Sequence, residues 1–342
     1  MSETQTQSVH NMNTSSHVGV GQLYKINEDG RWEMYFDHHM ISGFGKCEQY
    51  FNYKHIQHLS PKGIVHLKTL IGQWWAKTME NYYTSLVAKD LTKDLACHIA
   101  LEAWDSCQID QGKALYPSTY EQFGGRAGAV AMIAQYYDFS YPYDSIHWKV
   151  VGIESGFGRQ KETLVGENNQ VIVYYIGKPD LLTWEDGRLI PVDHKTKDYI
   201  QSNIVNNFKP HAQTAGYLVA GQVIADKLNL GVTLDRVIIN VAARNEPSDA
   251  PRSGKKKPRF LRIPIEYSQS ELREWRKQVV LKATRLRHCI EKNEWIFNDS
   301  QCHVYSGCEF RPIDSRPPES REIMKNAHFN VVPAWSPYDL ED

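Results

Sequence analysis

The feature that most limits how this chain can fold is a pair of short apolar runs on either side of an Asp186-Gly187 turn signal. Leu181-Leu182 precedes the turn, and Leu189-Ile190-Pro191-Val192 follows it. Apolar runs of this length around Asp-Gly are typical of a β-hairpin. The sequence therefore predicts two neighbouring strands across residues 177–196.

Three charged side chains converge in this hairpin. Asp193 and Lys195 share one face of their strand, because successive side chains alternate, and the usual register brings Asp180 beside them. Carboxylate oxygens are the ligands that Mg²⁺ or Mn²⁺ prefers, and a nearby lysine can orient water and stabilise charge on a phosphoryl transition state. A surface hairpin with ordinary charges is the alternative. It fits less well, since both carboxylates follow apolar residues and need a partner there.

The same residues resemble the signature of a nuclease superfamily. Pro179-Asp180, the turn, and Asp193-His194-Lys195-Thr196 are similar to the PD-(D/E)XK pattern, and in particular to its RecB-like branch. Downstream, Gln213-Thr214-Ala215-Gly216-Tyr217 is similar to the Gln-x-x-x-Tyr helix motif of that branch. The i, i+4 spacing places Gln213 and Tyr217 on one helix face, where they either contact DNA or buttress metal ligands.

The resemblance implies an α+β (α/β) fold with a restriction-endonuclease-like core, a mixed central sheet flanked by helices. It also implies a metal-dependent DNA nuclease in which Asp180, Asp193 and the His194 carbonyl hold Mg²⁺ or Mn²⁺, while Lys195 positions the attacking water. By the same analogy we expect an exonuclease that acts on DNA ends or single strands. Recombination, replication or phage DNA metabolism would be its setting, with a recombination or replication protein as partner. The oligomeric state stays open.

A second interpretation keeps the fold but not the turnover. Many RecB-like nucleases carry a metal-binding histidine in a Gly-x-x-x-His-x-x-x-Glu helix pattern, and the best match, Gly72 to Glu80, has Ala76 at that position. His98 and, with less support, His66 are candidates to replace it, although each is otherwise an ordinary helix histidine. If neither histidine reaches the metals, the chain would be a weak or inactive nuclease-fold protein in DNA binding or assembly. A hydrolase of another small phosphoester is a third interpretation, but the Gln-x-x-x-Tyr motif favours DNA.

The six cysteines are too few and too scattered for a disulfide scaffold, so we expect reduced thiols. In iron-sulfur members of the resembled branch, one early and three late cysteines hold a [4Fe-4S] cluster. Cys47, Cys302 and Cys308 match three of these positions, but the fourth falls near Asp314. A cluster on three cysteines is a poorer arrangement and carboxylate is a weak ligand for it, so a [4Fe-4S] cluster is the less favoured alternative. We expect Cys308 and Phe310 to pack as apolar groups.

The overall charge sets where DNA contacts must come from. Lysine plus arginine number 39 and aspartate plus glutamate 40, a formal net charge of −1, so no global basic field attracts nucleic acid. A turn-rich loop ends in the basic residues Lys255, Lys256, Lys257 and Arg259. These side chains either hold DNA phosphates or form a solvated loop.

Residues 1–20 are polar and are expected to form a disordered tail. We expect an N-terminal hairpin and helical region over 21–140, a nuclease core over 141–295, and a cysteine-containing segment and tail over 296–342. Within the core, strands at 148–157 and 171–176 lead into the hairpin. Glu154 is expected to face water at a strand edge, with a further acidic site residue as the alternative. Gly124, Gly125 and Gly128 indicate either close packing between helices or a break in the helix there.

Two kinds of apolar segment would place the chain in or across a membrane. Neither an apolar run of membrane-spanning length nor a signal peptide with an apolar core is visible. We therefore expect no membrane partner and a cytoplasmic protein, in the host cytoplasm if the chain is phage-encoded.

Overall fold

A computed structural model describes residues 23–63, 67–156, 163–245, 258–303 and 307–333. They form two compact units. The described residues within 1–62, 158–176 and 275–342 make up the first unit, and those within 63–157 and 177–274 make up the second. The units thus interleave along the chain, whereas the predicted regions follow one another.

The strands are β1 (Tyr24–Ile26), β2 (Trp32–Phe36), β3 (Leu59–Pro61), β4 (Lys149–Ile153), β5 (Leu164–Glu167), β6 (Val171–Tyr175), β7 (Leu181–Glu185), β8 (Arg188–Lys197), β9 (Arg236–Ala243), β10 (Phe260–Glu266) and β11 (Phe329–Val331). The α-helices are α1 (His38–Lys46), α2 (Glu48–Phe51), α3 (Leu67–Ala88), α4 (Lys93–Ser106), α5 (Pro117–Phe123), α6 (Gly125–His147), α7 (Ala212–Lys227), α8 (Gln269–Lys292), α9 (Arg311–Asp314) and α10 (Arg321–His328). No helix in the described ranges is both long and apolar enough to span a membrane. Mixed sheets with flanking helices confirm the α+β class.

The first unit contains a four-stranded sheet in the order β1-β2-β6-β5. The predicted N-terminal hairpin is present as antiparallel β1 and β2. Strand β6 pairs in parallel with β2 and so belongs to this sheet. We expected it in the nuclease core, next to the hairpin of residues 177–196. A second, two-stranded sheet joins β3 to β11.

The second unit contains a five-stranded sheet in the order β10-β9-β8-β7-β4. Strands β7 and β8 form the predicted antiparallel hairpin, with Glu185 opposite Arg188. Asp186 and Gly187 between them have φ of +49° and +76°, the conformation of a two-residue type I′ turn. Strand β8 pairs in parallel with β9, which makes the sheet mixed.

Helices α3, α4 and α6 supply most of the apolar core of the second unit, including buried Trp74, Trp75 and Trp104. The predicted glycine segment is a break between α5 and α6, where Gly124 has φ of +84°. Gly128 lies in the first turn of α6. A side chain there would overlap the Phe123 carbonyl oxygen, so this position also needs glycine.

Glu48 connects the start of α2 to the C-terminal part of the first unit. Its carboxylate accepts hydrogen bonds from Arg285 Nε and Nη2, each 2.9 Å long, and from the backbone N–H of Ile296 over 2.9 Å. Burial alone would raise the pKa of Glu48, but these hydrogen bonds outweigh burial and lower the pKa below its ordinary value of 4.5. The ionised carboxylate therefore stabilises the unit.

We expect Glu48→Gln to lower the free energy of unfolding at neutral pH by about 1–3 kcal/mol, since it weakens hydrogen bonds to a charged group. A group whose folded-state pKa is lowered contributes stability above its unfolded-state pKa and loses it as the pH falls. The difference between parent and variant should therefore shrink below about pH 4.5 in urea unfolding. Glu322→Gln, which changes an exposed carboxylate paired with Lys325, should have little effect. A loss independent of pH would contradict this account.

Candidate active site

The predicted carboxylates lie together beside the β7–β8 hairpin in the second unit. Leu181 pairs with Val192, and continuing that register sets Asp180 opposite Asp193. The backbone N–H of His194 donates to Asp180 Oδ2 over 2.5 Å, which fixes this carboxylate against β8. The unit thus holds two carboxylates side by side.

Lys195 completes the predicted group. Its Nζ lies 2.6 Å from Asp193 Oδ2, with the lysine side chain 33% exposed and that of the aspartate 1% exposed. Burial lowers the pKa of Lys195, but the Asp193 and Asp180 carboxylates outweigh burial and raise it above its ordinary value. Lys195 is therefore a charged hydrogen-bond donor at the surface of a buried carboxylate.

Helix α7 carries Gln213 and Tyr217, and both are buried. Gln213 Nε2 donates to Asp193 Oδ1 over 2.8 Å and to the Tyr217 hydroxyl over 2.9 Å. The Tyr217 hydroxyl donates in turn to the backbone carbonyl of Lys178 over 2.9 Å. Of the two predicted roles, DNA contact and buttressing, this burial and bonding correspond to buttressing.

Glu154 lies next to Asp180 and pairs with Lys178, although we expected it to face water at a strand edge. Its backbone N–H donates to the Asp180 carbonyl over 3.0 Å. Its carboxylate lies 2.5 Å from Lys178 Nζ, with 20% of the glutamate side chain exposed. Strand β4 ends at Ile153 and Glu154 has φ of +49°, so strand alternation does not predict where this side chain points.

The charge balance of the site fits a bound divalent cation. Burial and then the Asp193 carboxylate raise the pKa of Asp180 to about 8, so the second negative charge lacks sufficient positive partners. Mg²⁺ is a hard cation that often uses only one or two carboxylates and completes its shell with water and substrate oxygens, and Mn²⁺ prefers similar ligands. Within the described ranges, no three His, Cys, Asp or Glu side chains are grouped to hold an ion by themselves. Asp180 and Asp193 match a cation that uses two carboxylates and completes its shell with water and substrate oxygens.

The His194 imidazole is buried on the opposite face of β8 from the carboxylate of Asp193. It stacks on Tyr83 with ring centroids 5.5 Å apart, and its Nδ1 lies 3.0 Å from Asn240 Nδ2. Burial, followed by the charge of Arg262, lowers the pKa of His194 to about 3. The imidazole is therefore neutral and structural, and only the backbone of this residue faces the site.

A series of buried polar contacts leads from Asn240 to an ion pair. Asn240 contacts the Tyr136 hydroxyl, which lies 2.8 Å from the Tyr83 hydroxyl, and Tyr83 donates to Asp144 Oδ2 over 2.9 Å. Arg262 Nη1 and Nη2 donate to the two Asp144 oxygens over 2.6 and 2.7 Å. Sequence reasoning missed these residues. The available signal was Asn240 in an apolar strand, where a buried amide needs a partner.

The other predicted site residues are not brought to the carboxylates. His98 is exposed on α4 with Nε2 3.1 Å from Glu102 Oε1, and among the described contacts none joins it to the site. His66 and Lys255–Lys257 lie outside the described residues. Arg259 is buried with Nη1 2.8 Å from Gln135 Oε1, so it differs from the exposed loop end that we expected.

In the first unit, Cys47, Cys302 and Cys308 line one cavity of about 860 Å³ together with Asp314. Burial raises the pKa of the Cys302 and Cys308 thiols, and Asp314 accepts a 2.9 Å hydrogen bond from the Tyr53 hydroxyl. The side chain that accompanies the three thiols is thus a carboxylate bonded to Tyr53, which is a weak ligand for a [4Fe-4S] cluster. Cys308 packs against a buried cluster that includes Phe310, which is the apolar packing we expected.

The chain is similar to known proteins in sequence and in structure. The sequence pattern of the PD-(D/E)XK nuclease superfamily matches residues 38–313. A protein from Eubacterium rectale, provisionally assigned as an exonuclease, is similar with 15% identity and a TM-score of 0.40, covering 79% of this chain and 88% of that chain. The alkaline exonuclease LHK-Exo from Laribacter hongkongensis has 12% identity and a TM-score of 0.25, covering 48% and 66%. LHK-Exo in complex with dAMP has 13% identity and a TM-score of 0.24, covering 64% and 94%.

Among curated proteins, none matches the chain by sequence. The superfamily match covers most of the chain, and the mixed sheets with flanking helices fit its restriction-endonuclease-like fold.

The buried ion pair beneath the site can be tested by substitution. Asp144→Asn should lower the free energy of unfolding by about 3–5 kcal/mol, because it leaves the Arg262 guanidinium buried without its counter-charge. Asp138→Asn on the same helix changes an exposed pair with Lys93 and should alter stability by less than about 1 kcal/mol. Urea unfolding of both variants measures the difference. Equal losses would show that Asp144 has no special part in stabilising the buried arginine.

Proposed function

Because the chain belongs to the PD-(D/E)XK nuclease superfamily, we propose that it is a Mg²⁺- or Mn²⁺-dependent deoxyribonuclease of the RecB-like branch. The observation that carries the proposal is the contact between Asp193 and Lys195 beside the carboxylate of Asp180. The motif resemblance to that branch favours exonuclease action on DNA ends or single strands. It also favours a role in recombination or replication, with a protein of that process as partner.

Asp180 and Asp193 would hold the cation, with the His194 carbonyl as a further ligand. The N–H and C=O of one strand residue point toward the same neighbouring strand. Since the His194 N–H bonds to Asp180, its carbonyl belongs to the same side of β8. When bound, a divalent cation supplies positive charge to phosphate oxygens and lowers the pKa of a water molecule.

Lys195 would orient the attacking water and stabilise negative charge on the phosphate in the transition state. Its ammonium is protonated, because two neighbouring carboxylates raise its pKa, and an ammonium donates hydrogen bonds but accepts none. With one third of its side chain exposed, it can donate to a phosphate oxygen while it stays beside Asp193. It is therefore proposed as an electrostatic donor and not as the base.

Gln213 and Tyr217 are proposed as positioning residues. Gln213 holds one oxygen of Asp193, and Tyr217 holds Gln213 and the carbonyl of Lys178, two residues before Asp180. One helix thus supports both carboxylates, each through a different arm of the hairpin. Neither side chain needs to touch DNA for the motif to serve catalysis.

The second candidate function is DNA binding or assembly with weak or absent turnover. The observation that favours it is Ala76 at the position of the helix histidine, with His98 exposed and paired to Glu102. Retention of both carboxylates and the lysine argues against it, because a site under no demand for catalysis would have no need of all three.

The decisive measurement is Mg²⁺- or Mn²⁺-dependent cleavage of end-labelled DNA. Lys195→Ala should slow cleavage by about 10²-fold or more, because it removes a donor to the transition-state charge. Lys227→Ala, which removes an exposed lysine at the end of α7, should cleave like the parent. DNA binding without added metal should persist in both variants.

Substrate form separates the modes of action. An exonuclease should degrade linear single- or double-stranded DNA from its ends and leave a covalently closed circle intact. Cleavage of the circle would replace the exonuclease assignment by an endonuclease. A parent protein that binds DNA but cleaves none of these forms with either metal would favour the binding function.

A further inference from the structure

Lys197 lies on the same face of β8 as Asp193 and Lys195. The strand is regular up to Lys197, which pairs with Ala243 on β9, so residues two apart project to the same side. At about 3.3 Å per residue, the attachment points of Lys195 and Lys197 are ~7 Å apart. The row of site residues thus continues one step past Lys195, away from the hairpin turn.

The charge of Lys197 is not matched by an acidic partner. The adjacent Asp198 is occupied at both oxygens, by Lys68 over 2.7 Å and by Arg244 over 2.7 Å. In the part of the chain that the structure describes, no carboxylate forms an ion pair with Lys197. Burial, then the charges of Lys195 and Arg244, lower the pKa of Lys197, and they outweigh the opposite effect of Asp198. An anion at this position would therefore restore a charge balance that the protein alone does not provide.

Aromatic packing limits where the Lys197 ammonium can lie. Its Nζ is 5.9 Å from the ring centroid of Phe208, which is itself buried. A half-buried lysine stem over an apolar ring loses less freedom on binding than a fully exposed lysine does. Lys197 is therefore partly ordered before any ligand arrives.

We propose that Lys197 binds the backbone phosphate of the DNA strand next to the scissile phosphate. A lysine ammonium acts as a point charge for phosphate without reading base sequence. Its place on the face of Asp193 and Lys195 matches one further phosphate along an extended strand. This inference rests on the proposed nuclease function, and it orients the substrate along β8, away from the turn at Asp186-Gly187.

The test combines protein substitution with neutral linkages in the DNA. A series of short single-stranded oligonucleotides carries one uncharged methylphosphonate linkage at successive positions, and both binding without metal and cleavage are measured. For the parent, one linkage beside the scissile position should weaken binding and raise KM by about tenfold, the effect of losing one charged contact. Lys197→Ala should show the same loss on unmodified DNA, little change in kcat, and no further loss at that linkage.

Two control variants separate charge from structure. Lys197→Arg should bind unmodified DNA like the parent, since it keeps the positive charge. Lys149→Ala removes an exposed lysine from β4 of the same sheet and should keep the sensitivity of the parent to the neutral linkage. The salt dependence of binding should also fall for Lys197→Ala by a slope of about 0.7, the value for one phosphate of a single strand.

The outcomes separate this inference from the proposed function. If the parent cleaves DNA but Lys197→Ala remains sensitive to every neutral linkage, the phosphate site is wrong and the nuclease stands. A different outcome is a parent that binds DNA without cleaving it, while one neutral linkage weakens binding by the parent and not by Lys197→Ala. The phosphate contact of Lys197 then stands and the nuclease function is wrong. A parent that neither binds nor cleaves DNA would overturn both.

Discussion

The burial of two neighbouring carboxylates, Asp180 and Asp193, is the constraint on which the candidate site of the second unit depends. Each carboxylate is held by separate groups: the His194 N–H bonds to Asp180, while Gln213 and Lys195 bond to Asp193. These contacts do not offset the cost of the site, since burial and then the charge of Asp193 still raise the pKa of Asp180 to about 8. The second unit therefore keeps two carboxylates close together at a cost in free energy, and the hairpin and α7 hold them in place.

Strand β8 joins two different environments in one stretch of backbone. Its charged face carries Asp193, Lys195 and Lys197, and its opposite face carries the neutral His194 imidazole in a buried polar network. Because side chains alternate along a strand, any shift that disturbed one face would move the other. The network on the opposite face connects His194 through Asn240 and two tyrosines to the ion pair of Asp144, which does not touch the site.

The parts that could be predicted from the sequence are those set by local signals. Asp186-Gly187 and a period of two define the hairpin, and an i, i+4 spacing puts Gln213 on the same helix face as its tyrosine. The strand that pairs with β6 (Val171–Tyr175) could not be predicted. All of its residues are buried, so its sequence suits the centre of any sheet, and its partner β2 is far away in the sequence. Glu154 was misjudged for a related reason: it follows the strand end, where alternation no longer sets direction.

The pairing of β3 with β11 has a consequence for how the protein is made. Strand β3 ends at Pro61 and β11 begins at Phe329, so the ribosome must deliver every residue between them before this sheet can close. Until then Tyr53 and Leu59 lack the cover that Phe310 and Phe329 provide, while every segment of the second unit has already emerged. Pairing between distant segments is slow and leaves apolar surface exposed in the interval. A nascent chain that stalls before β11 would carry the candidate site residues of the second unit together with an uncovered apolar cluster, a species prone to aggregation or degradation.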